Sequence, residues 1–118
     1  MFHIMGVKEE FKMSENWKNR TELLIGNDAV EKLAKAKVII YGIGGVGSFT
    51  VEALARAGIG NLTLVDNDII SLTNINRQIH SNINTVGKSK IEVMKTRILE
   101  INPEANIEIY NPKEMEIQ

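Results

Sequence analysis

The sequence contains no cysteine. Within these residues that absence excludes a disulfide framework, a thiolate nucleophile and a cysteine-based zinc site. No apolar run approaches the roughly 20 residues that span a bilayer, and the N-terminal MFHIMGVKEEF has no apolar core like that of a signal peptide. We therefore expect a soluble, cytoplasmic protein with no membrane partner.

The chain also lacks an excess of either charge, an internal repeat and a low-complexity segment. With 14 basic and 15 acidic side chains it has no global field that would attract nucleic acid. Any contact with nucleic acid must come from a local patch or from a further segment. A length of 118 residues suits one domain with a hydrophobic core and is too short for a two-domain enzyme.

What the sequence does contain is an alternation of strand and helix patterns. The runs KVIIYG, NLTLVD and NIEIY predict three strands, the first of them buried on both faces as in a parallel sheet. Helical spacing predicts helices over 45–57 and 85–101. The face of the first helix that is expected to pack on the sheet carries small or apolar residues, namely Val46, Thr50, Ala53 and Ala57.

This order of elements predicts the fold class. Strand, helix, strand, helix, strand is typical of an α/β fold, here the Rossmann-like half of a doubly wound, mainly parallel sheet with flanking helices. Before the first strand, Gly26-Asn27-Asp28 offers cap residues for a short helix over AVEKLAKA. Residues 1–20 are interpreted as an N-terminal arm or helix.

The turn after the first strand has the spacing of a phosphate-binding loop. Gly42 allows a tight exit from the strand, and Gly44 lets backbone N–H groups approach a phosphate without an intervening Cβ. Gly47 lets the following helix pack against the strand, and the N-terminus of that helix adds a partial positive charge. Asp66 ends the second strand, where a carboxylate can accept hydrogen bonds from both ribose hydroxyls. These residues predict a nucleotide site that suits NAD and ATP equally.

The polar segment after the second strand distinguishes these two nucleotides. Asn74, Arg77 and Gln78 lie close together, and Lys88 and Lys90 follow at the start of the predicted helix with no nearby acid. Cations there oppose the helix dipole unless an anion is bound. NAD needs no such groups, whereas ATP that loses pyrophosphate needs cations and amide donors around the departing phosphates. We therefore predict ATP as the nucleotide, with Arg77 and Lys90 as catalytic residues.

We predict no catalytic role for the two histidines. His80 has no partner near it in sequence that would make it a general base, and His3 lies at the start of the chain. No residue of the chain is predicted to bind a metal directly.

Three segments carry a resemblance to a known family. GIGGVGSFTVEALARAGIG, LVDNDIISLTNINRQIH and VGKSKIEVMKTRILEINP together resemble the ThiF/MoeB/HesA family, the ubiquitin-activating-enzyme-like adenylating proteins. The similarity runs from about Arg20 to the C-terminus, so residues 21–118 correspond to the N-terminal part of a ThiF-type nucleotide-binding domain.

The resemblance implies a role for each matching residue. Gly42, Gly44, Gly45 and Gly47 would line the phosphates of ATP, which binds with Mg²⁺, and Asp66 would bind the ribose. The groups implied around the triphosphate are Asn74, Arg77, Gln78 and Lys90. Family members are commonly homodimers in which an N-terminal arginine enters the partner's ATP site, and Arg20 is the nearest match.

Within the family, RTELLIG and TNINRQIH most resemble the tRNA threonylcarbamoyladenosine dehydratase type, also called TcdA or CsdL. That type implies tRNA as substrate, with ATP activating the threonyl carboxylate of the modified adenosine before it cyclises. One alternative is a MoeB-type adenylyltransferase whose partner is a sulfur-carrier or cysteine-desulfurase-system protein. From other classes, an NAD-binding oxidoreductase domain and a non-catalytic nucleotide-sensing module stay open.

The chain departs from the family by ending early. The family's later half carries a further half-sheet, an aspartate that helps hold magnesium, and the substrate surfaces. We expect the chain alone to bind ATP weakly and to show little activity. The KVIIYG strand is expected to have an open apolar edge.

Overall fold

A computed structural model describes residues 16–116 of the chain. Five α-helices, three strands and one 3₁₀ turn follow one another in these residues. Their order is α1 (Asn19–Ile25), α2 (Asn27–Lys35), β1 (Lys37–Tyr41), α3 (Gly45–Ala57), β2 (Asn61–Val65), the 3₁₀ turn (Leu72–Asn76), α4 (Lys90–Ile101), β3 (Asn106–Tyr110) and α5 (Pro112–Glu116).

The three strands form one parallel sheet in the order β1-β2-β3. Helices α3 and α4 pack against each other, α3 also contacts β1, and α4 also contacts β3, so both helices lie on one face of the sheet. The hydrophobic core fills the space between them, and its fully buried side chains include Leu62, Leu64, Val51, Met94 and Ile98. The predicted α/β half-sheet is confirmed.

The expectation that β1 is buried on both faces is wrong. Val38 and Ile40 face the helices, whereas Ile39 is 56% exposed and Tyr41 is 76% exposed on the opposite face. The reason is that the flanking helices among residues 16–116 cover one side of the sheet. The outer edge of β1 also pairs with no strand in this described part, as the sequence led us to expect.

The predicted sheet-facing side of α3 is also wrong. Val46 is 84% exposed, and the buried positions are Ser48, Val51, Glu52 and Ala55. At Gly47 the helix lies close against the Gly42 carbonyl, which follows β1, so this side of α3 and not the predicted stripe faces the sheet.

Helix α4 begins later than predicted, at Lys90 instead of Thr85. Residues 82–88 form turns, and the Ser89 hydroxyl caps the helix by accepting the Glu92 N–H at 3.5 Å. The short helix α2 is confirmed. The predicted arm falls mostly on residues 1–15, which lie outside the described residues, and its last two residues begin α1. No helix among residues 16–116 has the length and hydropathy needed to cross a bilayer.

Candidate nucleotide-binding site

The glycine turn and the acidic residue lie at the carboxyl ends of neighbouring strands. The turn leaves β1 at Gly42, whose φ of 87° is in the left-handed region that favours glycine. The Gly42 N–H donates to the Val65 carbonyl at 2.9 Å, which ties the turn to the last residue of β2. Asp66 follows Val65 directly. Parallel pairing therefore places the turn and the carboxylate side by side.

Gly47 allows the helix to approach the strand. A Cβ built at Gly47 would lie 1.8 Å from the Gly42 carbonyl oxygen, so no larger residue fits without a shift of the backbone. A Cβ built at Gly44 or Gly45 would make only an ordinary van der Waals contact, with Gln78 Nε2 and the Arg77 carbonyl oxygen respectively, each at 3.8 Å. The segment that holds Arg77 and Gln78 thus lies beside the glycine turn. Its position in the sequence alone does not show this proximity.

Asp66 already accepts two backbone hydrogen bonds in this structure. Its Oδ2 accepts the Ile43 N–H at 2.6 Å, and its Oδ1 accepts the Asp68 N–H at 2.7 Å. A carboxylate has about four lone-pair sites, so both oxygens keep the capacity to accept a ribose hydroxyl. The two backbone bonds fix the carboxylate against the glycine turn.

The 3₁₀ turn and the two residues after it hold the predicted amide and guanidinium groups. Asn74 is buried, and its Oδ1 accepts the Ser71 N–H at 2.9 Å while its carbonyl accepts the N–H groups of Arg77 and Gln78. Gln78 is buried as well, and its Oε1 has no hydrogen-bond partner within the described residues. A buried acceptor without a donor is unfavourable. The atom of this amide that lies beside Gly44 is Nε2, a donor that suits a phosphate oxygen.

Arg77 is exposed, and its Nη1 donates to the Thr73 carbonyl at 3.0 Å and to Asn76 Oδ1 at 2.9 Å. These two contacts use one nitrogen of the guanidinium. The other nitrogens remain available to an anion, since a guanidinium offers five N–H donors.

Lys90 is buried and has an acidic partner, contrary to the prediction that no acid lies near it. Its Nζ is 3.5 Å from Asp68 Oδ2, and its N–H donates to the Asp68 carbonyl at 3.2 Å. An antiparallel bridge between Ile69 and Ser89 brings the two segments together. Lys88, by contrast, is exposed and lines a groove beside α4.

His80 is 1% exposed and lies behind the glycine turn. Its Nε2 is 2.8 Å from the Ile43 carbonyl oxygen, and its Nδ1 is 2.9 Å from Ser81 Oγ. Burial lowers the pKa of His80 below its ordinary value, and the charge of Lys90 lowers it further, against opposing effects of the Ile43 hydrogen bond and Asp66. The imidazole is therefore neutral near pH 7.

The start of α1, which carries Arg20, lies beside the C-terminal end of α3, opposite the glycine turn. Arg20 is exposed on α1, and Lys18, two residues earlier, lies against Gly58 at the far end of α3. A helix of 13 residues is about 20 Å long, so this end is distant from the phosphate-binding end.

Sequence reasoning missed Asp68, Ile43, His80 and Ser81. The Asp-x-Asp spacing at the end of β2 was a signal for Asp68 as a second acid at the same edge. Ile43 and His80 contact each other across the fold, and Ser81 contacts its neighbour His80. No local pattern indicates the contact between Ile43 and His80. Among residues 16–116 no group of three or more His, Asp or Glu side chains is arranged to hold a metal ion.

Comparisons with known proteins agree with this geometry. The sequence profile of the ThiF family matches residues 18–116. A tRNA threonylcarbamoyladenosine dehydratase of Bacillus subtilis is 49% identical over 89 residues, covering 75% of this chain and 35% of that protein. A molybdopterin-synthase adenylyltransferase of Haemophilus influenzae is 43% identical over 86 residues, covering 73% of this chain and 35% of that protein.

A solved structure shares the fold. The Escherichia coli tRNA N6-threonylcarbamoyladenosine dehydratase in complex with ATP superposes with a TM-score of 0.77 at 47% identity, covering 82% of this chain and 41% of that chain. The chain thus spans about a third of the length of the curated relatives it matches.

Proposed function

The chain belongs to the ThiF family, and from that membership we propose that it forms the ATP-binding N-terminal part of a carboxylate-adenylating enzyme. We propose that residues 21–118 form this part of the domain. Since the chain covers about a third of the dehydratases it matches, the proposed activity is that of the full-length protein.

One observation carries the proposal: the glycine turn lies beside Nε2 of the buried Gln78 amide and at the same sheet edge as the Asp66 carboxylate. In the proposed complex, Gly42, Gly44, Gly45 and Gly47 surround the phosphates, and the N-terminus of α3 attracts their charge. Asp66 accepts the ribose hydroxyls. Asn74 and Gln78 line the triphosphate.

Arg77 and Lys90 are proposed as the catalytic residues. Adenylation forms a bond from a carboxylate oxygen to the α-phosphorus and breaks the bond to the bridging oxygen, which leaves with pyrophosphate. Negative charge therefore grows on the departing phosphates. The free guanidinium nitrogens of Arg77 and the ammonium of Lys90 are groups that stabilise such charge.

We propose tRNA that carries threonylcarbamoyladenosine as the substrate, because relatives named for that dehydratase reach 47–54% identity to this chain. The full-length protein, incubated with ATP and this tRNA, is expected to remove one water from the modified nucleoside. Mass spectrometry of the digested tRNA would show this as a loss of the mass of one water. The H. influenzae adenylyltransferase supports a second candidate, a sulfur-carrier protein adenylated at its C-terminus. If that product forms and no dehydrated nucleoside appears, the second candidate replaces the first.

The ATP assignment has its own test. ATP with magnesium is expected to displace NAD from the full-length protein. Arg77→Ala is expected to lower the affinity for ATP about tenfold or more, because charge-assisted hydrogen bonds are lost. Lys32→Ala, an exposed cation on α2, is the matched control and is expected to bind ATP normally. Tight NAD binding that ATP does not disturb would refute the proposal and favour an oxidoreductase domain. ATP binding without carboxylate-dependent pyrophosphate exchange would favour a nucleotide-sensing module.

We further propose a cytoplasmic homodimer with Mg²⁺ bound alongside ATP. The position of Arg20, far from its own glycine turn, supports a role in the site of a second copy. A mixture of an Arg20→Ala protomer with an Arg77→Ala protomer is expected to restore one complete site per heterodimer and therefore part of the exchange activity. Failure of complementation between two folded variants would argue against this arrangement.

A further inference from the structure

Each of the two peptide units that flank Ile43 makes a hydrogen bond, one partly buried and the other buried. The Ile43 N–H donates to Asp66 Oδ2 at 2.6 Å, and the Ile43 carbonyl lies 2.8 Å from His80 Nε2. Ile43 itself is fully buried. The first residue of the glycine turn after Gly42 is therefore fixed from two directions.

The tautomer of His80 follows from these contacts. A carbonyl oxygen can only accept, so Nε2 must carry the proton and donate to Ile43. In the neutral ring Nδ1 is then an acceptor, and the Ser81 hydroxyl donates to it at 2.9 Å. The carbonyl of His80 also accepts the Thr85 hydroxyl at 2.8 Å, which holds the backbone of this residue. The ring has one orientation and one tautomer.

The orientation of the Ile43 carbonyl determines that of the next N–H group. A trans peptide is planar, and its C=O and N–H point in opposite directions. Because His80 holds the carbonyl toward the buried side, the Gly44 N–H points away from His80, at the N-terminus of α3. Within the described part of the chain the Gly44 N–H donates to no partner.

We propose that His80 is a positioning residue, which aims the Gly44 N–H at a phosphate oxygen of the bound nucleotide. This inference rests on the proposed function, since it supposes that ATP binds at the glycine turn. His80 touches neither ATP nor the reacting atoms; it acts through the Ile43–Gly44 peptide, and Ser81 acts by holding the tautomer of His80.

The test compares two substitutions and two ligands. His80→Gln places an amide nitrogen near the position of Nε2 and keeps the donor, whereas His80→Leu removes it. We expect His80→Leu to lower the affinity for ATP about tenfold, which corresponds to the loss of one charge-assisted hydrogen bond. We expect the affinity of His80→Gln for ATP to stay within about threefold of wild type. Adenosine, which has no phosphate, is expected to bind all three proteins alike. The Gly44 amide resonance in NMR should shift on addition of ATP to wild type and to His80→Gln, and little in His80→Leu.

Several outcomes would overturn the inference. An equal loss of affinity for adenosine would make His80 a packing residue only, and unchanged ATP binding by His80→Leu would remove its role altogether. If wild type binds no ATP, the proposed function fails and the inference fails with it. If His80→Leu does not fold, Ser81→Ala decides: it should shift the Gly44 amide resonance and weaken ATP about threefold, and the absence of both effects would refute the proposal.

Discussion

At the scale of single residues, Asp68 links two charged groups that lie far apart in sequence. Its N–H donates to Asp66, its carbonyl accepts the Lys90 N–H, and its carboxylate lies 3.5 Å from Lys90 Nζ. The buried ammonium therefore has a counterion before any nucleotide arrives. A bound phosphate would compete with Asp68 for Lys90, and the exposed Asp68 carboxylate can turn to solvent at low cost.

The buried histidine predicts a pH dependence of stability. The pKa of His80 is lowered in the folded state, so the unfolded chain takes up its proton first as pH falls below about 6.5. The stabilisation is complete above that pH and is lost as pH falls toward the lower folded-state pKa, with a slope of at most about 1.4 kcal/mol per pH unit. Urea unfolding at pH 7.5, 6.5 and 5.5 should show this decline.

The control for this measurement is His80→Gln, which cannot titrate. Its free energy of unfolding should change less over the same pH range.

Glu52 titrates outside this pH range. Burial would raise the pKa of Glu52, but hydrogen bonds and charges of Arg97 and Arg56 lower it below its ordinary value. The Glu52 carboxylate changes the free energy of unfolding only at more acidic pH, so it does not affect the comparison of wild type with His80→Gln. Parallel curves for the two proteins would show that His80 does not titrate as described.

At the scale of the elements, α3 is fixed by one close contact and one ion cluster. Glu52 is almost fully buried, and it accepts hydrogen bonds from Arg97 on α4 at 2.7 Å and from Arg56 on α3 at 2.9 Å. This cluster joins the two helices on the covered face of the sheet. The N-terminal end of α3 is fixed instead by the approach of Gly47 to Gly42.

Gly47 and Gly45, which lie two residues apart, should differ sharply in how much their substitution by alanine destabilises the fold. Gly47→Ala places a Cβ against the Gly42 carbonyl, where backbone must move, and is expected to lower the free energy of unfolding by about 1–3 kcal/mol or more. At Gly45 a Cβ would make an ordinary van der Waals contact with the Arg77 carbonyl oxygen at 3.8 Å, so Gly45→Ala is expected to change stability little. Urea unfolding of both variants checks this. If Gly47→Ala is as stable as Gly45→Ala, the close approach does not exist in solution.

At the scale of the whole molecule, the two faces of the sheet differ. One face packs against α3 and α4, while the other presents Ile39 and Tyr41 of β1 to solvent among the described residues. An exposed apolar face next to an open strand edge favours pairing with further polypeptide. The curated relatives are about three times as long as the matched segment, so they have more chain with which to cover such a face.

We predict that the 118-residue chain self-associates through β1. Ile39→Lys should raise the concentration at which larger species form, because a charge at a strand edge opposes pairing. It should change the free energy of unfolding little, since Ile39 is 56% exposed. Light scattering after size-exclusion chromatography gives the measurement. Ile69→Lys, at a position 63% exposed but outside the sheet, is the matched control. Equal effects of both would contradict a β1 interface.

The sequence by itself determined the order of the elements, the glycine turn at the end of β1 and the acidic residue at the end of β2. These features are encoded by hydrophobic periodicity and turn chemistry within a few consecutive residues. It also indicated the cluster from Asn74 to Lys90, because its members lie close along the chain.

Only the tertiary structure decided which distant groups meet. The pairing of Asp68 with Lys90 depends on the bridge between Ile69 and Ser89, and the contact of His80 with Ile43 depends on how the polar segment folds back onto the turn. The side of α3 that faces the sheet includes the close approach of Gly47 to Gly42, and the exposure of β1 depends on which helices cover the sheet. Such contacts join segments far apart in sequence, so local patterns do not encode them.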